Sequence, residues 1–342
     1  MTEPTHMRRE IEEIPSAVAT LLDHQHDAFA ALGAALRARD PSVLVTIARG
    51  SSDHAATYFK YACERLARRP VASVGPSIAS IYGIDLMLAG AAAIAISQSG
   101  RSPDLIAMLE SAKRGGALSA AITNDPSSPL AASSDHVIDI GAGVERSVAA
   151  TKTFVTSIVA GLSVLAHWRD DTTLHNALIT LSQHLRNASK VDWSALSGAL
   201  SDRPSIFVLG RGPGVAIAAE AALKFKETSG LHAESYSTAE VLHGPSAIVR
   251  DGFPALVFAV DDAALPSVAA TAKKLADQGG SVLVTGFDSP GCITLPAVST
   301  GHPLTDPLAL AVSFYGFVEA FSRSRGYDPD RPPHLNKVTA TQ

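Results

Sequence analysis

Between Ala221 and Pro245 the chain concentrates side chains that can move protons. Glu220, Leu223, Lys224 and Glu227 lie three and four residues apart, so on a helix they share one face. Gly230 stands where a helix C-terminus takes a residue tolerant of positive φ. Beyond it come His232, Glu234, Glu240 and His243 among small and hydroxylated residues, closing on Gly244-Pro245. A carboxylate beside a lysine, with a histidine near, is equipment for proton transfer at neutral pH. The plain alternative is an exposed, salt-bridged helix running into a polar loop.

A second stretch suits an anion. Ser97-Gln98-Ser99-Gly100-Arg101-Ser102 leaves an apolar run and enters a helical pattern. Backbone N–H groups at a helix start, with three hydroxyls and no bulky side chain, make a phosphate cradle. Ser51 and Ser52 follow the preceding apolar run and can add to it, while Arg101 can lend charge or point to solvent. Simple helix capping by a Ser-x-x-Asp pattern competes with that reading. Gly210-Arg211-Gly212-Pro213-Gly214 shares glycines with a dinucleotide fingerprint, but Pro213 and a missing later glycine spoil it. Nucleotide binding is rejected. In the C-terminal segment Gly326 to Thr339, three prolines and two aspartates forbid a helix, and Lys337 stands between Leu335 and Val338. A lysine docked in a desolvated pocket can form a Schiff base with a sugar carbonyl. A loose tail is the alternative.

Repeated elements must carry these groups. From Met7 to Ala38 apolar positions recur at helical spacing with Pro15 interrupting, so two helices or one broken helix are expected. Strands are then expected at Val43–Ala48, Ala93–Ile96, Leu118–Thr123 and Val137–Ile140, with helices over 53–66, 103–114 and 149–168. Apolar strands that each run into a polar loop and then a helix describe a parallel sheet covered on both faces. The rhythm returns after Asp202, with strands at Ile206–Leu209, Ala255–Val260, Val282–Thr285 and Ile293–Leu295 and a last helix over 307–323. An offset of about 160 residues brings the two series into register. The expected fold is α/β: two domains related by internal duplication, each a flavodoxin-like three-layer parallel sheet flanked by helices. They are joined by a helical connection over 174–195. Ligands of such sheets bind beyond the C-terminal strand ends, where the polar loops lie.

Composition narrows the partners. Hydrophobic residues make up 46% and charged residues 18% of the 342, as in a compact soluble protein, and the net charge of −5 implies no basic face for nucleic acid. The longest apolar run, Leu86 to Ile96, is too short to span a bilayer. Arg8 and Arg9 precede acidic residues rather than an apolar core, so no signal peptide is expected. Cys63 and Cys292 are far apart and outside any metal-binding spacing. A cytoplasmic protein with no metal and no cofactor is the expectation.

The motifs together have a family likeness. Ala48 to Ser52 (ARGSS), Ser97 to Asp104 (SQSGRSPD), Glu145 to Phe154 (ERSVAATKTF), the stretch to Pro245 and Asp328 to Thr339 occur in the order of the isomerase half of glucosamine-6-phosphate synthase. That half is built from two sugar isomerase (SIS) domains, and the chain resembles it over nearly its whole length. The resemblance implies a helical leader at 1–38, SIS domains at 39–190 and 195–325, and a tail at 326–342 that closes the active site. It implies that Ser97, Gln98, Ser99 and Ser102 bind the sugar phosphate, with Ser51, Ser52, Val148 and Ala150 also contacting the substrate. Glu227 matches the base that shuttles a proton between C1 and C2, and Lys337 the tail lysine that bonds to the open-chain ketose. Lys224 matches a second lysine of the site. His243 matches the ring-opening histidine, which in the family reaches the neighbouring subunit, so a homodimer with shared active sites is implied.

Two departures shape the expected reaction. Thr2 occupies the second position and no cysteine lies near the start, so a glutaminase domain is not expected. Ala150 stands where the synthase usually has a serine, so one hydrogen bond to the sugar is in doubt. A double SIS chain of this size resembles the glutaminase-free glucosamine-6-phosphate deaminases, which release fructose 6-phosphate and ammonia. Other readings are a different phosphosugar isomerase or deglycase, an ammonia-dependent fructose-6-phosphate aminotransferase, and a non-catalytic sugar-phosphate sensor. The retained Glu227, His243 and Lys337 speak against the sensor.

Overall fold

A computed structural model describes residues 3–335 and Lys337. Helices α1 (His6–His24) and α2 (His26–Arg39) lead into β1 (Leu44–Ile47). Then follow α3 (Ser51–Leu66), β2 (Val71–Ser73), α4 (Ser77–Ser80), β3 (Ala92–Ser97), α5 (Pro103–Arg114), β4 (Leu118–Thr123), α6 (Pro129–Ala132) and β5 (His136–Asp139). After α7 (Lys152–Arg169), α8 (Thr172–Ala188) and α9 (Ser194–Ala199) comes a second series. It runs β6 (Ser205–Gly210), α10 (Gly214–Ser229), β7 (His232–Ser237), two single 3-10 turns (Glu240–His243 and Pro245–Ile248), β8 (Pro254–Val257), α11 (Leu265–Asp277), β9 (Ser281–Thr285), β10 (Ile293–Leu295) and α12 (Asp306–Ser324).

The chain divides into two compact units. One holds Glu13–Glu145, Lys152–Ser182 and Lys337; the other holds residues 3–12, Arg146–Thr151 and Gln183–Leu335. Each contains one five-stranded sheet whose strands are all parallel. The orders are β2-β1-β3-β4-β5 and, read from the matching edge, β7-β6-β8-β9-β10. Equivalent strands therefore occupy equivalent places, as duplication requires, in the flavodoxin-like order.

In the first unit, β1 and β3 are buried at every position, which explains why they are apolar apart from Thr46 and the terminal Ser97. Leu105, Met108, Leu109 and Ala112 recur at i, i+3, i+4 and i+7 along α5 and pack with Val45, Ile47, Ala93 and Ala95. Helix α7 is buried from Lys152 to Ala166. In the second unit, Phe207, Leu209 and Val257 pack with Val268, Ala272 and Leu275 of α11. Burying the Val, Leu, Ile, Phe and Met side chains among these supplies about 1.5–3 kcal/mol each.

Two features differ from the sequence expectation. Pro15 does not interrupt the leader: α1 runs through it, and the break falls at Gln25. Proline removes one N–H from the helix ladder, but Ile11, Ile14, Val18 and Leu21 on either side are almost wholly buried and hold the turn in place. Residues 232–237 are an edge strand rather than a loop. Only Ala233 in it is fully buried, so its composition is that of a solvated segment although its backbone pairs with β6. Among the described residues no helix is long and apolar enough to cross a membrane.

Candidate active site

The serine loop leaves β3 at its C-terminal end and enters α5, as the chain order demands. The Gly100 N–H donates to the Ser97 hydroxyl at 3.2 Å, and the Arg101 N–H to the Ser99 hydroxyl at 3.3 Å. The Gln98 carbonyl accepts from the Asn124 N–H at 3.1 Å, which ties the loop to the one after β4. Gly100 has φ +61°, and a Cβ there would lie 2.1 Å from the Ser128 hydroxyl oxygen, so backbone conformation and space both demand glycine. Ser102 stands at the N-cap of α5 with an extended backbone, yet its hydroxyl makes no capping hydrogen bond. Capping therefore does not account for this serine. Arg101 is engaged with Asp125 at 2.8 Å, which settles its direction.

The loop after β1 is fixed to the same region. Arg49 donates through Nε and Nη2 to Asp104 Oδ2 at 3.1 and 3.0 Å, and the Asp104 side chain is completely buried at the first turn of α5. A charge buried this way must be paired, and Arg49 pairs it. Ser51 and Ser52 open α3 behind Gly50 and are half-buried. In the same turn, burial pushes the Asp53 carboxyl up despite the opposing His54 and Arg49 charges.

Lys337 also belongs to this unit. Its Nζ lies 2.8 Å from Glu145 Oε2, and the Glu145 side chain is fully buried. Glu145 accepts two further hydrogen bonds from Thr153, from the backbone N–H at 3.1 Å and the hydroxyl at 2.7 Å. Nearby in sequence, the buried Lys152 binds Glu13 Oε2 at 2.6 Å and the Val144 carbonyl at 2.8 Å.

In the second unit the shared helical face exists as expected. Lys224, wholly buried on α10, lies 2.5 Å from Glu227 Oε2 and 3.3 Å from Glu220 Oε1. Tyr315 donates its hydroxyl to Glu220 at 3.2 Å. Burial pushes the Lys224 ammonium toward neutrality, but the two carboxylates outweigh it and hold its pKa above the ordinary lysine value. Lys224 is thus a fixed cation that anchors Glu227, whose side chain remains 18% exposed on the last full turn of the helix. Gly230 then ends α10 with φ +59°, the left-handed cap its position implied.

The remaining site residues are placed as follows. Val148 and Ala150 are half-buried within the segment Arg146–Thr151, alternating with buried Ser147, Ala149 and Thr151. Glu10 holds this segment through the N–H groups of Arg146 and Ser147. His243 is exposed at the end of its 3-10 turn, and among the described residues it makes no hydrogen bond or ion pair. The structure thus brings Glu227 and Lys224 together in one unit and groups Ser97, Gln98, Ser99 and Ser102 in one loop of the other. It does not join His243 to a partner.

Sequence reasoning passed over Glu145, Arg49 and Asp104, and gave Glu220 only its place on the shared helical face. Their signal was the company they keep, inside motifs that were otherwise informative. Cys63 is excluded as a nucleophile, because burial pushes its thiol up to about 12. Among the described residues no group of three or more His, Cys, Asp or Glu is arranged to hold a metal ion.

Known proteins share these arrangements. The sequence matches the SIS domain over residues 39–166 and 199–288. It is 32% identical to the glutamine–fructose-6-phosphate aminotransferase (isomerizing) of Aeropyrum pernix, across 99% of this chain and 58% of that protein. The chain thus spans a little over half the length of that curated relative. A crystal structure of a candidate phosphosugar isomerase from Silicibacter pomeroyi DSS-3 is 56% identical, covers 96% of this chain and all of that one, and superposes with a TM-score of 0.93. The C-terminal domain of glucosamine-fructose-6-phosphate aminotransferase from Francisella tularensis is 25% identical over 96% of this chain and 99% of that one, with a TM-score of 0.82. With two equivalent parallel sheets and matches in both halves, the chain belongs to the SIS domain family.

Proposed function

We propose that this protein is a phosphosugar isomerase of the SIS type that deaminates an amino-sugar phosphate, with glucosamine 6-phosphate as substrate and fructose 6-phosphate and ammonia as products. The observation that carries the proposal is Glu227, a partly exposed carboxylate held by the buried ammonium of Lys224. A base fixed on a rigid helix, with one face open, is suited to carrying a proton between adjacent sugar carbons. The serine loop is assigned to the phosphate, supported by the hydroxyl of Ser102 that caps nothing. Lys337 is assigned to the open-chain carbonyl. His243, exposed and without a hydrogen bond or ion pair among the described residues, is assigned to ring opening in a neighbouring subunit of a homodimer.

After ring opening, Glu227 takes the proton from C2, leaving a C1–C2 enaminol, and returns it to C1. Nitrogen carried at C2 becomes an imine, and water adds to it to leave the ketone and ammonia. The second reading is the reverse, ammonia-dependent amination of fructose 6-phosphate. It is favoured by the name of the Aeropyrum relative, a fructose-6-phosphate aminotransferase.

One assay discriminates the two: ammonia release from a panel of amino-sugar 6-phosphates, with fructose 6-phosphate plus ammonium as the reverse test. Release from glucosamine 6-phosphate supports the proposal. Interconversion of phosphosugars without ammonia release reduces it to a simple isomerase, and binding without turnover replaces it with a sensor. Mixing His243→Ala with Glu227→Gln tests the shared site, since mixed dimers regain one intact set. No recovery after demonstrated subunit exchange means each subunit builds its site alone.

A further inference from the structure

Buried carboxylates need a reason. Glu145 has a fully covered side chain, and its three hydrogen-bond donors described above come from just two residues, Thr153 and Lys337. Thr153 sits in the first turn of α7, one of the most deeply buried helices of its unit, so the backbone N–H and hydroxyl that orient Glu145 are themselves fixed. Helix N-terminal N–H groups favour a carboxylate. Lys337 differs from these two donors. Its side chain is 24% exposed, and it lies 192 residues further along the chain.

We propose that Glu145 is the positioning residue for Lys337: a rigid anion, preset by α7, that fixes where the tail amine sits. The inference rests on the assignment of Lys337 to the sugar carbonyl, and adds the group that aims it. A lysine side chain has four rotatable bonds, so its amine is poorly placed by its backbone alone. A carboxylate 2.8 Å away supplies the missing constraint, and Thr153 keeps that carboxylate from swinging away with the lysine. Glu145 acts through Lys337 and needs no contact with substrate.

Glu145→Gln keeps the shape and an oxygen for Thr153 but removes the charge. The expected result is a fall in kcat of about 100-fold, the size of a misplacement near 1 Å, with little change in KM for the phosphosugar. Glu145→Asp, shorter but charged, should recover part of the loss. Without any sugar, Lys337 should react about fivefold faster with a small amine-acylating reagent, read by mass spectrometry, once its carboxylate partner is gone. In a Lys337→Met background, Glu145→Gln should cost nothing further, because the two act as one unit. Should Glu145→Gln fail to fold, Thr153→Val tests the same chain of contacts and should lower kcat by a smaller factor. Unchanged Lys337 reactivity, or a full additional loss in the Lys337→Met background, overturns the proposal. If the wild type turns over no phosphosugar, the functional assignment fails, while the acylation readout still decides whether Glu145 places Lys337.

Discussion

The two sheets have the same strand order, yet the proposed chemistry sits at different points of the repeat. In the first unit it lies in loops: the serines after β3, and Arg49 after β1 clasping Asp104. In the second it lies on the body of a helix, where the buried Glu220 and Lys224 and the partly exposed Glu227 form one row along α10. The equivalent helix α3 has no such row. Its inner face is Ala55, Ala56, Phe59, Ala62 and Cys63, all buried and apolar. Duplication supplied two copies of a scaffold that binds at strand ends, and each copy was filled differently. A loop of backbone N–H groups and hydroxyls suits a charge that keeps its form throughout a reaction. A carboxylate whose proton comes and goes needs a rigid support and a fixed countercharge, which α10 provides.

The largest test of this contrast is on the helix. Glu227→Gln keeps size and a hydrogen-bonding oxygen but removes the base, so turnover should fall by about 100- to 10,000-fold. Substrate should still bind, and solvent-proton exchange at C1 or C2 should vanish together with turnover. Exchange that survives would move the base elsewhere, with Glu240 the next candidate.

Removing the countercharge should strike stability. Lys224→Met leaves Glu220 and Glu227 facing each other with the cation gone, at a cost of about 3–5 kcal/mol. Urea unfolding midpoints measure it. The sign of the pH effect also follows. Folding raises the Lys224 pKa, so its stabilisation is complete below the ordinary lysine value of 10.5 and is lost as pH rises through the folded value. A Lys224→Met protein as stable as the wild type would mean that the row on α10 is ornament.

The helical row was legible in the sequence because i, i+3 and i+4 spacing maps directly onto one face. Ser97–Ser102 was legible for a similar reason, since an apolar run ending in small polar residues before a Pro-Asp helix start leaves few conformations. The interior strands were legible too, within one to three residues at each end. Of the edge strands, β5 and β10 were legible, but β2 and β7 were not. A strand paired on one side and solvated on its face has no apolar period to read, and β7 exposes His232 and Glu234 while pairing fully with β6. Nor was the Glu145–Lys337 pair legible. Its members are joined only by folding, and nothing local in ERSVAATKTF says that its one carboxylate will be buried.

A smaller effect is expected in the serine loop. The phosphate is held alike in ground and transition states, so Ser99→Ala should raise KM and leave kcat nearly unchanged. A lost hydrogen bond to a charged group is worth about 1.5–3 kcal/mol, which corresponds to a rise of roughly 10- to 100-fold. Initial-rate kinetics on phosphorylated and unphosphorylated sugar measure it. If the wild type handled both sugars equally, the loop would lose its assignment, and the contrast with α10 would go with it.

The smallest effect separates the units by pH. In the first unit, the rings of His26, His167 and His175 meet edge to face, with centroids 4.9, 5.8 and 6.5 Å apart. Burial, then the neighbouring His26 and His175, hold the His167 pKa below its ordinary 6.5; Asp170 opposes them and Arg37 adds to them. Folding therefore disfavours the proton on His167. The stability this ring contributes is present above about pH 6.5 and is lost as pH falls through the depressed folded value. The residue is half-buried, so after screening the contribution should stay under about 1 kcal/mol. Lys224 in the second unit responds only at the alkaline end. Melting temperature compared between pH 7.5 and 5.5 should fall further for the wild type than for His167→Gln. Equal slopes for the wild type and His167→Gln would remove the histidine cluster as a source of acid sensitivity.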